Sequence, residues 1–340
     1  MTLQNFFDFT LSTSAISAHV LFMRAVYKLQ TSVQPGGIPR RYEDGVPQPS
    51  VQTLAFLRNA VVRFRTWVAK LSSGPSKAHG SAVNVLEIPP LDVLMVWHAY
   101  MLSPVTYEKD SSASIGLQAL THMPLEKIAA LVDKTSYDFV PTMAQSEAWV
   151  GLTDMPFDYT ALQHYDFDAM EQIESIDLVQ AVMRQSSSIG PMINEASVYE
   201  ENGLSWSQTI DRYVRFMCLP LEAPVPPVDV DIIWHTHQLK GTQYREDCIK
   251  YFGRVINHDD SKPADVVRKG RKLMNEQSKL LLDSTDTTIA VFSVFTSIPD
   301  TSTPVDGGSG NGGGQGGGNG GGNGGEGTKC GGPPSGCVRY

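Results

Sequence analysis

"PPVDVDIIWHTHQL", residues 226–239, rewrites an earlier line of the same chain, "PPLDVLMVWHAYML", residues 89–102. Aligned without gaps, Pro89, Pro90, Asp92, Val93, Trp97, His98, Leu102, Tyr107 and Asp110 fall on Pro226, Pro227, Asp229, Val230, Trp234, His235, Leu239, Tyr244 and Asp247, nine matches in 22 positions. A similar segment precedes each copy, "VVRFRTWV" at 61–68 and "IDRYVRFM" at 210–217. The same order of elements twice predicts two related halves that pack on each other, as incomplete helical units do when neither closes its own core.

The rest of the body reads as helical. Residues 13–29 space Ile16, Val20, Met23, Val26 and Tyr27 by three or four, and residues 51–71 do the same through Leu54, Leu57, Val61, Phe64 and Val68, the interval of one helix face. Segments 124–134, 167–185 and 204–219 repeat the signal between Pro, Gly and Ser breaks, and alternation typical of strands is rare. The expected fold is mostly α. It comprises a first half at 1–125 with its motif at 89–110, a second at 126–285 with its motif at 226–247, an extended connector at 286–304 and a disordered Gly-rich tail at 305–340. The tail lacks the apolar residues needed for a core.

In each copy Pro-Pro can open a helix, and Asp92 or Asp229 can complement its positive end. Asp231 and His235 are four apart and meet on one turn, so the carboxylate can orient a histidine that acts as base or metal ligand. His235 and His237 are two apart, roughly 200° around a helix, and do not readily share one metal. The first half has Leu94 and Tyr100 where the second has Asp231 and His237. Trp97, His98, Asp92, Asp229, Trp234, Tyr244 and Asp247 therefore read as structural, and any chemistry belongs to the second half. There "GRVINHDD" adds His258, Asp259 and Asp260. With His235, His237 and Asp231 these offer nitrogen and oxygen ligands for a divalent zinc, iron or manganese ion, although the spacing matches no standard motif. The catalytic candidates are His235 and Asp231; the metal candidates are His235, His237, His258 and Asp259. Arg63 and Arg212 are expected to pair with Asp92 and Asp229, or with other acids, and hold the halves together. No phosphate-binding Gly loop, nucleophile elbow or His-Glu-x-x-His motif is present, so no cofactor-binding residues are assigned.

A net charge of −9 and a pI near 5.4 disfavour a nucleic-acid partner. The basic segment 262–279 reads as a solvated helix face. Cys330 and Cys337, six residues apart in the tail, read as reduced thiols, with a disulfide or metal ligation as the other options. The first residues have no basic region ahead of an apolar stretch and Asp8 interrupts them, which predicts no signal peptide and an intracellular, cytoplasmic location. No stretch has the length of a membrane span.

"PPVDVDIIWHTHQLKGTQYREDC" with "FGRVINHDD", supported by "SAHVLFMRAV", "DLVQAVMRQSSSI" and "RYVRFMCL", resembles the glycine-rich domain-containing protein-like family of plants and fungi over roughly residues 10 to 285. The resemblance implies a helical, repeat-like domain, linked in plants to development and stress responses, and the tail with its cysteines is similar to fungal members. It implies motif residues Asp229, Trp234, His235, His237, Leu239, Tyr244 and Asp247, without a catalytic assignment. Two functions follow as expectations. One is a non-enzymatic interaction or scaffold protein that binds a protein partner and uses the tail as a tether. The other is an enzyme centred on His235, possible as a metal-dependent one, with Asp231 in support.

Overall fold

Each copy of the motif forms one buried helix with Pro at its N-cap. These are α3 (Leu91–Met101), capped by Pro90, and α10 (Val228–Gln238), capped by Pro227. Proline there loses no intrahelical hydrogen bond and its ring stops the helix from extending backward. The computed structural model describes residues 11–38, 49–73, 88–161, 172–218 and 225–258. The connector, the glycine-rich tail, Cys330, Cys337, the basic segment 262–279 and Asp259 lie outside these residues.

Around α3 and α10 the helices fall into two series. The first is α1 (Thr13–Val33), α2 (Val51–Ser73), α3 and α4 (Pro104–Ala113). After α5 (Ile115–Gln118), α6 (Leu125–Ala129) and α7 (Met143–Thr153) comes the second: α8 (Leu178–Glu201), α9 (Trp206–Met217), α10 and α11 (Thr242–Phe252). No strand occurs among the described residues, only an isolated antiparallel bridge between Val132 and Phe139. The described part of the chain is thus helical and built from two related halves. Both contribute to one hydrophobic core: α8 packs more extensively on α3 than on α10, and α1 lies against α3, α8 and α10. No helix among the described residues is long and apolar enough to cross a membrane.

Sequence periodicity overreached at three points. Tyr27 is 42 % exposed rather than part of the buried face of α1. Within 124–134 the helix stops at Ala129, where the chain turns into the Val132–Phe139 bridge. Of the helix expected over 167–185, residues 167–171 lie outside the described residues, 172–177 are not helical, and α8 begins at Leu178, where Asp177 caps it by accepting from the Gln180 N–H, which fixes the start.

The repeat extends to individual hydrogen bonds. Trp97 Nε1–H donates to Tyr107 Oη at 3.1 Å, and that hydroxyl donates to the Leu120 carbonyl. Trp234 Nε1–H donates to Tyr244 Oη at 2.9 Å, which donates to the Ile256 carbonyl. Buried polar groups need such partners, so the recurrence of Trp and Tyr in the two copies is explained by mutual satisfaction. Arg63 pairs with Asp92, Nε to Oδ2 at 2.7 Å, and Arg212 contacts Asp229. These pairs tie α2 to α3 and α9 to α10, so they brace each half internally instead of joining the two halves.

Candidate functional site

Nearly every residue of α10 is buried, with Asp231 the main exception. On its one partly open side, Asp231 and His235 stand a turn apart, Oδ1 to Nε2 at 3.5 Å. The third member arrives from beyond α11. Gly253, with φ of +68°, ends that helix in the left-handed conformation, which glycine adopts without a Cβ penalty. The following residues return along α10, where the Ile256 carbonyl accepts from Tyr244. His258 then lies edge-on to Trp234 and His235, ring centroids 4.9 and 4.7 Å away. Its Nε2 is 3.2 Å from His235 Nε2 and 3.9 Å from Asp231 Oδ1. Side-chain exposure is 1 % for His235, 17 % for Asp231 and 11 % for His258. His235 Nδ1 meets no hydrogen-bond partner among the described residues, so the polar engagement of this ring runs through Nε2. Burial, then the neighbouring His258, His98 and His19, hold its pKa well below the ordinary value. At neutral pH it is a neutral imidazole.

The first half offers a comparison. His98, the counterpart of His235, also meets a histidine Nε2 to Nε2, but that partner is His19 of α1, at 3.1 Å. Thr236 Oγ1 donates to the Ile232 carbonyl and lies 2.9 Å from His19 Nδ1. His19 Nδ1–H therefore donates to Thr236, its Nε2 accepts, and His98 Nε2–H is the donor between the rings. Burial pushes the His98 pKa down to about 3, and burial with His98 lowers that of His19. Leu94 occupies the position of Asp231, so this pair lacks a carboxylate. His19 escaped sequence reasoning because a single histidine on an apolar helix carries no spacing signal.

His237 does not join the cluster. Its Nδ1 is 2.7 Å from Tyr213 Oη and its Nε2 is 2.9 Å from Asp247 Oδ2. In the first half Tyr100 Oη–H donates directly to Asp110 at 2.6 Å, and the ring beside it is Phe64, which needs no partner. The substitutions Tyr100 to His237 and Phe64 to Tyr213 thus compensate each other: the second ring nitrogen of histidine requires the extra hydroxyl. Asp231, His235 and His258 converge, His237 faces a separate network, and Asp259 is outside the described residues.

The histidine cluster is not in either of the two sizeable cavities described. One, of about 350 Å³, lies between α4 and α11 and is lined by Met101, Leu117, Tyr107 and Tyr244, with Glu108 and Arg245 paired beside it. The other, of about 380 Å³, is walled by four partly exposed aromatics, Tyr137, Phe139, Phe157 and Tyr159, over Ala25, Leu29 and the start of α3. A turn carries Tyr137 and Phe139: Asp133 Oδ1 accepts from the Thr135 and Ser136 N–H groups, and Tyr137 takes a left-handed φ of 59°. On the facing wall Arg63 fixes the chain by donating to the Pro156 and Phe157 carbonyls at 2.7 and 2.9 Å. Asp138 and Asp158 are exposed at this cavity; Lys28 pairs with Asp138 at 2.5 Å, and the Arg24 guanidinium lies 5.3 Å from the Tyr137 ring. Sequence reasoning missed this cavity, because its rings come from separate turns without a shared periodicity.

Comparison with known proteins places these features in context. The model of the family described as "Glycine-rich domain-containing protein-like" matches residues 40–110 and 129–247, stretches that end on the repeat-equivalent Asp110 and Asp247. Glycine-rich domain-containing protein 1 of Arabidopsis thaliana is 31 % identical over 245 residues, covering 66 % of this chain and 27 % of that protein. Glycine-rich domain-containing protein 2 of the same plant is 28 % identical over 227 residues, 64 % of this chain and 27 % of that protein. The chain therefore spans about a quarter of the length of these relatives. No solved structure matches.

Proposed function

Since the chain belongs to the glycine-rich domain-containing protein-like family, a family of unclear biochemical role, we propose that it acts by binding, as a helical scaffold that holds a protein partner. One observation carries this reading: four partly exposed aromatic rings and two exposed carboxylates surround a single open cavity. Aromatic faces and carboxylates both favour cations; Lys28 answers Asp138, Arg24 is answered by Glu200 and Asp92 by buried Arg63, which leaves the Asp158 charge in excess. The partner that fits is a short extended peptide carrying an arginine or lysine, its chain laid over the rings. The cations of the chain itself at these walls, Arg24 on Tyr137 and Lys28 on Asp138, illustrate the chemistry.

Fluorescence anisotropy with labelled arginine-containing, glutamate-containing and uncharged proline-rich peptides tests it. The basic peptide is expected to bind, and Asp158→Lys is expected to weaken it at least tenfold while the circular dichroism spectrum stays unchanged. Equal binding of all three peptides, or no binding of the basic one, refutes the reading. The enzyme alternative would need a substrate to reach His235, and neither cavity described above is lined by it.

A further inference from the structure

We propose that Asp231, His235 and His258 form a binding site for one divalent transition-metal ion of the zinc class, present in the second half and absent from the first. The argument is geometric. The three donor atoms make a triangle with edges of 3.2, 3.5 and 3.9 Å. The point equidistant from three such corners lies about 2.1 Å from each, the product of the edges divided by four times the enclosed area, and zinc takes imidazole nitrogen at roughly 2.0–2.1 Å and carboxylate oxygen at roughly 2.0–2.2 Å. The donor spacing therefore matches the reach of a single ion to all three atoms. No other group of histidine, cysteine and acidic residues among the described residues has three donors so close together.

Chemistry and burial agree with the geometry. A metal ligand must present a lone pair, and His235 Nε2 faces both His258 Nε2 and Asp231 Oδ1 at 3.2 and 3.5 Å. Two imidazoles and one carboxylate suit zinc, iron(II) or cobalt, whereas calcium and magnesium want all-oxygen shells. Access is from the side of Asp231 and His258, the two partly exposed members.

The first half is the internal control. His19 and His98 reproduce the 3.1 Å pair of ring nitrogens, but the third corner there is Leu94, and one ring nitrogen of His19 is committed to Thr236. That pair shares a hydrogen bond; the second has acquired a carboxylate and a histidine brought from outside the four-helix unit. His258 lies beyond the stretches matched by the family model, residues 40–110 and 129–247. The site does not depend on the peptide-binding reading, since its residues and those of the aromatic cavity do not overlap.

The test uses the full chain purified without a histidine tag. It is stripped with chelator, then titrated with Zn2+ alone by calorimetry and with Co2+ by visible absorption. Wild type is expected to bind one ion per chain, with cobalt d–d bands typical of histidine and carboxylate ligation. Asp231→Leu, which installs the first-half residue, and His258→Gln are each expected to weaken binding at least 100-fold, whereas His237→Gln and the pair Cys330→Ser with Cys337→Ser retain it. Zn2+ at about 100 times its Kd should raise the Tm by about 5–10 °C, and Mg2+ or Ca2+ should not. No binding by wild type overturns the proposal, as does binding that survives His258→Gln or disappears with the cysteines. If Asp231→Leu does not fold, His258→Gln decides, because it removes a ligand that lies outside the core helices.

Discussion

Replacing Arg63 by Met should be among the most damaging single changes in the protein, and much worse than the same change at its repeat counterpart, Arg212. Arg63 is fully buried, pairs with Asp92 through Nε at 2.7 Å, and donates to the Pro156 and Phe157 carbonyls. Methionine keeps an unbranched apolar stem and removes the charged guanidinium with its donors to Asp92, Pro156 and Phe157. Asp92, 1 % exposed, is then left with only backbone N–H groups at the start of its own helix. Breaking a buried pair on one side costs about 3–5 kcal/mol, which for a body of this size lowers Tm by about 6–20 °C. The Arg212 side chain is 30 % exposed, and Asp229 also accepts from Tyr199 Oη at 2.8 Å. Solvent and this second donor limit the cost of Arg212→Met to about 1–2 kcal/mol. Urea unfolding of both variants, and of the double variant Arg63→Met with Asp92→Leu, provides the assay. The double variant should recover at least half of the loss, because removing the stranded carboxylate removes the penalty. Equal costs for the two arginines, or no recovery in the double variant, would refute the argument.

Other outcomes follow from the same contacts. Tyr213→Phe strands His237 Nδ1 and should cost about 1–3 kcal/mol in urea unfolding; adding His237→Tyr rebuilds the Phe64–Tyr100 arrangement and should restore part of it. Gly241→Ala places a Cβ 2.0 Å from the Thr121 carbonyl oxygen at a φ of +54°, so the thermal midpoint should fall by several degrees. His19 and His98 have folded pKa values below their unfolded value of 6.5. Their stabilisation is therefore complete above pH 6.5 and is lost as pH falls from there toward about 3, where His98 titrates in the folded protein. His98 contributes about 1.4 kcal/mol per pH unit in that window, and His19 acts in the same direction. Unfolding free energies in chelator at pH 7.5 and 5.5 should show this slope, and His98→Gln should flatten it; an unchanged slope in that variant would count against the assignment.

The repeat was legible in the sequence because each copy must satisfy the same buried groups: a Trp N–H needs its Tyr, and an Asp in a buried first turn needs its Arg. Helix type was legible from apolar spacing, but boundaries were set by caps such as Asp177 and by the Val132–Phe139 bridge, which periodicity does not register. In the candidate site, the Asp231–His235 contact follows from helical spacing alone. The return of His258 depends on the turn at Gly253 and on the Ile256 carbonyl, and the pairing of His98 with His19 depends on how α1 crosses α3. These are tertiary facts. His237 shows the opposite case: adjacent to His235 in sequence, it is directed by the helix toward Tyr213 and Asp247.

X-ray absorption at the zinc edge, on the zinc-loaded full chain, addresses the central claim most directly. The geometry predicts a first shell of nitrogen and oxygen at about 2.0–2.1 Å, with outer-shell scattering from two imidazole rings. A sulfur shell near 2.3 Å, or no imidazole scattering, would contradict it.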